Sequence, residues 1–144
     1  MTLRFERTLE ADLAALLKTA FPAGFPVYEF NGITDKPEYP SVTVRYDNGG
    51  VSAGFDDTGV FYANMLVICR TYYQDDRNGD NLAGVLDKAR SVILPAGLPG
   101  RLNAVSEKYT CFGSVIGEDF NESNGLIRSA VLQVQLHFSP VKQQ

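Results

Sequence analysis

Residues 61–73 read FYANMLVICRTYY, thirteen positions without Pro or Gly. Within them Met65 to Cys69 is apolar at every position. Strands usually run about five or six residues, and a strand wetted on one face alternates apolar with polar side chains. A stretch this long and this apolar reads as the spine of a sheet covered on both faces. Part of that cover can come from another chain. The segments on either side of the spine decide what kind of sheet it belongs to.

Upstream, Phe5, Leu9, Leu13, Leu16, Leu17 and Ala20 recur at steps of three and four, which makes one apolar stripe of a helix over Thr2–Ala20. Thr2 can cap its start, and Pro22, Gly24 and Pro26 end it. Val27 to Phe30 reads as a short strand, and the turn-rich stretch 31–40 follows it. Ser41 to Tyr46 (SVTVRY) alternates as a strand with one wetter face. Asp47 to Gly59 (DNGGVSAGFDDTG) reads as a wide hairpin loop leading into the spine.

Downstream, Leu82, Val85, Leu86, Ala89 and Ile93 mark a second helix, with Asp80 or Asn81 as its N-cap and Pro95 and Gly97 at its end. Ala104 to Val115 reads as a strand with a kink at Gly113, and Gly117 to Gly125 as an acidic loop. In the closing strand, Leu126 to Phe138, Ala130, Leu132, Val134, Leu136 and Phe138 share one face. Residues 139–144 are expected to fray. This order predicts an α+β fold over residues 1–144 as one domain. The expected architecture is a single mixed or antiparallel β-sheet with two amphipathic helices packed on one face.

Composition narrows the function. The net charge is −4, which argues against a nucleic-acid clamp, because phosphate contacts need clustered Lys and Arg. No apolar run approaches the ~20 residues that span a bilayer, and MTLRFERTLEADL lacks the apolar core of a secretion signal. Cys69 and Cys111 sit in strand-like segments and read as reduced, buried thiols.

No chemistry emerges from the motifs. If Gly79 were the sixth position of a calcium loop, Val85 would be the twelfth, where an acid is required. Gly49–Gly54 lacks the Gly-Lys-Ser/Thr ending of a phosphate loop. His137, the single histidine, lies on the polar side of the last strand without an evident nucleophile partner. Asp56, Asp57, Glu118, Asp119 and Glu122 could pair as carboxylates for hydrolysis or a cation, but solvated loop charge is the simpler reading. Phe55, Phe61, Tyr62, Tyr72, Tyr73 and Phe120 flank the loops and the ends of the spine; core packing accounts for some of them, and aromatic residues at such places are also common at subunit contacts. The expected protein is therefore not an enzyme, with no catalytic residue, no cofactor and no metal site. Its contact or lumen candidates are Phe55, Asp56, Asp57, Phe61, Tyr72, Tyr73, Glu118 and Asp119.

The order of parts over residues 2–138 resembles the tail terminator, or tail-completion, proteins of long-tailed bacteriophages. It runs from the helix LRFERTLEADLAALL through YPSVTVRY, ANMLVICRTY and the helix NLAGVLDKARSVIL to the closing VLQVQLHF. The resemblance implies an α+β subunit without enzyme activity that forms hexameric rings. Such a ring caps the tail tube, stops its growth and offers the surface for head joining. It further implies a homo-oligomer that partners a tail tube protein and neck or connector proteins. DNA would pass through the lumen without specific binding, and no membrane would be involved. The ring would be assembled in the bacterial host cytoplasm and located in the virion. Another neck or connector protein, and a small ligand- or peptide-binding module, are the alternatives.

Overall fold

Burial along the spine strand follows a period of two. In a computed structural model of the chain, Ala63, Met65, Val67, Cys69 and Thr71 are buried, while Tyr62, Asn64, Leu66 and Arg70 between them are partly exposed. The structure describes residues 6–30, 37–51, 60–94, 96–117 and 120–139, with the backbone alone for Val51 and 120–124. The elements are α1 (Glu6–Lys18), β1 (Val27–Glu29), β2 (Ser41–Val51), β3 (Phe61–Tyr72), α2 (Asp80–Ile93), α3 (Leu98–Val105), β4 (Thr110–Ile116), β5 (Phe120–Asn124) and β6 (Ile127–Ser139).

They form one mixed sheet in the order β1-β2-β3-β6-β4, parallel only between β1 and β2. β5 also pairs with β6, on the edge that β4 occupies farther along. The sheet is thus five strands wide. Between β4 and β5, Gly117 N–H donates to Gln133 O at 2.7 Å. β6 and β3 are its centre, paired from Phe61–Phe138 to Tyr72–Ile127.

All three helices contact the same face: α1 on β1 and β2, α2 on β3 and β6, α3 on β4. That face is built from cross-strand rows such as Val44–Val67–Leu132 and Tyr46–Met65–Val134–Ile116. α1 adds Leu9, Leu13, Leu16 and Leu17, and α2 adds Leu82, Val85, Ala89, Val92 and Ile93. Each large apolar side chain buried this way contributes about 1.5–3 kcal/mol before entropy is charged.

The structure refines several expectations. The spine is not fully covered on its second face, where among the described residues the row Thr43–Ile68–Val131 is buried together with Ser41 and Ser129 on either side of the partly exposed Arg70. A third helix occupies 98–105, so the expected strand over 104–115 begins only at Thr110. Leu98 and Leu102, one helical turn apart, bury this helix. The acidic stretch 117–125 contains strand β5. β2 continues four residues past Asp47 to Val51, so half of the expected loop's glycines lie in a strand. Gly49 is required there: a Cβ would meet Tyr62 O and lie 2.6 Å from the Tyr46 hydroxyl.

A bulge between Tyr46 and Asn48 takes Asp47 out of the ladder. Glu10 of α1, only 1% exposed, accepts the Tyr46 N–H at 2.8 Å. The carboxylate thus ties the first helix to the bulge. Glu10→Ala is expected to cost about 1–3 kcal/mol in urea unfolding, the penalty for a buried donor left without its acceptor, and Glu10→Gln is expected to recover most of it. Equal losses in the two variants would show that the Tyr46 bond is not what Glu10 supplies.

Candidate functional site

The described candidates divide by role. Phe61 is half-buried, and its ring lies 6.2 Å from that of its cross-strand partner Phe138. It packs on the core, so its first role is in the fold. Tyr72 and Tyr73 are exposed by 36% and 47%, and Leu126 in the β5–β6 turn by 78%. Phe55, Asp56, Asp57, Glu118 and Asp119 lie outside the described residues.

Tyr72 and Tyr73 are held at one end of the sheet. The Tyr39 ring meets Tyr72 edge-on, with centroids 4.9 Å apart. The Arg128 guanidinium lies 4.5 Å from the Tyr73 ring centre, a cation–π distance. Tyr73 N–H donates to Leu126 O at 2.9 Å, fixing the spine's end to the hairpin turn. The result is a patch of Tyr39, Tyr72, Tyr73 and Leu126 beside an arginine. Aromatic residues and arginine are the types that anchor protein–protein contacts.

The patch is positioned by Asp76, which is 4% exposed. Its carboxylate accepts from Thr71 Oγ1, Asn81 N–H and Leu82 N–H, each at 2.9 Å. Asp76, not Asp80 or Asn81, therefore supplies the cap of α2 expected in this region. Arg128 Nε donates to Asp76 O at 2.8 Å and Nη2 to Arg77 O at 2.7 Å. Burial pushes the Asp76 carboxyl up, but the hydrogen bonds from Asn81, Leu82 and Thr71 and the charge of Arg128 outweigh it and leave the group below its ordinary range.

The second feature lies on the helix-free face. Gln135 Nε2 donates to Asn64 Oδ1 at 3.0 Å, Asn64 Nδ2 to Asn48 Oδ1 at 2.6 Å, and Asn48 Nδ2 to Asp47 Oδ2 at 3.0 Å. The chain of amides runs across β6, β3 and β2 into one carboxylate. It borders an open groove of about 320 Å³, walled also by Leu66, Val115, Gly117 and Gln133. Sequence reasoning missed these residues because only strand pairing brings them together. The groove can hydrogen-bond a neutral polar partner, and among the described residues Asp47 is the one charged residue lining it.

The cysteines do not form a site. Both are buried, and neither forms a disulfide. Cys69 faces Ala130 and Cys111 faces Phe138, about 27 Å apart along β6 at the usual strand rise, far beyond disulfide reach. Burial pushes the Cys111 thiol up to about 11, the opposite of an activated nucleophile. His137 lies on the helix-free face, level with Tyr62 and Gly113. Among the described residues no group of three or more His, Cys, Asp or Glu side chains is placed to hold a metal ion.

No family model matches the chain. No curated protein matches it. Among solved structures it is similar to a chain of the "Virion of native gene transfer agent (GTA) particle", with a TM-score of 0.57 and 17% identity. The match covers 94% of this chain and 93% of that one. At this identity the likeness is one of fold.

Proposed function

We propose that the chain is a structural virion subunit whose copies close into a ring at the end of a phage-type tail tube. The ring stops tube growth and offers the head-joining surface. The observation that carries this reading is the end-to-end match with a chain of a gene transfer agent virion, 94% of one and 93% of the other. A match of that extent involves the whole element order, and the same order underlies the resemblance to tail terminator proteins. The aromatic patch at Tyr72 and Tyr73 supports the reading as a surface suited to protein contact.

The mechanism is geometric. Unlike surfaces on neighbouring subunits join head to tail and close by rotation, so the ring matches a tube of the same symmetry and leaves it no further growing end. Its partners are the tube protein on one side and neck proteins on the other. DNA passes through the lumen, and the net charge of −4 disfavours its retention. The same reading places the subunit in the virion after assembly in the host cytoplasm.

Two measurements test this. Mass determination with negative-stain imaging is expected to show closed rings with a central hole. Added to a polymerising tail tube protein, the subunit is expected to shorten the tubes and sit at their ends. Rings that leave tube length unchanged would favour another neck protein. A chain that stays monomeric alone and with tubes would sink the ring reading.

A further inference from the structure

We infer that the outer edge of β4, at Ser114–Ile116, is the seam at which a second copy of this chain joins by backbone pairing. The inference rests on the ring reading above.

The edges of a sheet expose N–H and C=O groups that template another strand unless they are blunted. This sheet treats its two edges differently. β1 is three residues long and is entered through Pro26, which has no N–H. At β4 the edge is closed at Cys111. Asn103 Nδ2 donates to Cys111 O at 2.8 Å, and Asn103 Oδ1 accepts the Cys111 N–H at 2.6 Å. The carboxamide, carried by α3, occupies the place of a neighbouring strand.

Beyond Cys111 no such plug exists among the described residues. The Gly117 N–H to Gln133 O bond sets the phase of the ladder. Antiparallel alternation then turns the backbone groups of Gly113 and Val115 toward β6, and those of Ser114 and Ile116 outward. Beside this open stretch Phe112 is 50% exposed and Val115 54%.

Charge argues that the occupant is another copy. The run 110–117, TCFGSVIG, has no charged residue in a chain that is 21% charged. Edge strands that must stay single usually carry a lysine or another charge as gatekeeper. A net-negative chain meeting itself needs a neutral seam, and this edge is neutral and apolar. A closed ring also needs each subunit to present two unlike surfaces. The outer edge of β4 can serve as one of them, and the neighbour supplies the strand.

Ser114→Pro tests the seam directly. The Ser114 N–H points outward, so proline removes no bond to β6, and Gly113 before it eases the steric limit that proline imposes. Val115→Lys is the second variant, placing a gatekeeper on an exposed side chain. Tyr73→Ser serves as the comparison at the aromatic end. Sedimentation velocity over a concentration series is expected to show at least about tenfold weaker assembly for Ser114→Pro and Val115→Lys, with unchanged circular dichroism. Hydrogen exchange is expected to show the Ser114 and Ile116 amides protected in the wild-type assembly and unprotected in monomeric Val115→Lys. If both edge variants form rings like the wild type, or if only Tyr73→Ser breaks them, the seam is elsewhere and the ring reading stands. If the wild type never assembles, the ring reading falls and the seam with it.

Discussion

Asp76→Ala lowers the free energy of unfolding by about 2–4 kcal/mol, read as a shifted urea midpoint at unchanged slope. The substitution removes one carboxylate and leaves the Asn81 and Leu82 amides and the Thr71 hydroxyl without their acceptor. Those groups sit where the spine strand ends and α2 begins, so the loss loosens both. The effect depends on pH with a definite sign. The folded carboxyl titrates below its ordinary range, so its contribution is fully present above the unfolded-state value of about 3.9. It is lost as pH falls through the folded value. The stability gap between wild type and Asp76→Asn is therefore expected to be widest near neutrality and to shrink progressively below about pH 4. A gap of the same size at pH 7 and at about pH 2.5 would show that the ionised carboxylate is not what stabilises the cap.

Leu132→Ala is expected to cost about 2–5 kcal/mol, a large share of the roughly 5–15 kcal/mol that holds a typical domain. Leu132 is fully buried on the helix side of β6, level with Val67 and Val44. Truncation there opens a cavity under packed helices, where neighbours can collapse only in part. Gln133→Ala, one residue on, removes an exposed side chain from the opposite face and is expected to stay within about 0.5 kcal/mol. Comparable losses at the two positions, measured by thermal or urea unfolding, would mean that the faces of β6 are assigned the wrong way round.

The contrast between these neighbours shows what the sequence could reveal. Period-two alternation in 126–138 and the helical stripes in α1 and α2 are local, so burial could be read from spacing. α3 escaped because Leu98 and Leu102 are too few to show a period and the Pro99–Gly100 pair between them looks like a breaker. β5 escaped because FNESN is polar and its partner, the first half of β6, supplies the ladder instead. Gly49 and Gly50 suggested a loop, yet a strand needs Gly49 because the Tyr62 carbonyl oxygen across the ladder takes the space of a Cβ.

The site was less legible than the fold. Tyr72 and Tyr73 could be singled out from their place at the end of an apolar run. Asp76 could not be separated from Asp75 and Asp80, because only the folded turn decides which carboxylate reaches the helix amides. Asn48, Asn64 and Gln135 meet through pairing across three strands, a relation with no local signal. The position of β6 beside β3, rather than at an edge, is of the same kind.

That position governs the order in which the molecule can be made. β6 is the last described strand to leave the ribosome, yet it is the one on which β3, β4 and β5 all pair. Until it emerges, the inner edge of β3 has no partner, and the α-helices lie over half a sheet. Pairs such as Phe61 with Phe138 span more than half the chain, so closure is late and comparatively slow. β4 pairs only with β6 among the described strands, so an unfinished chain has no β4 edge to offer a neighbour. If the chain assembles as proposed, growth can draw only on subunits whose synthesis has passed β6.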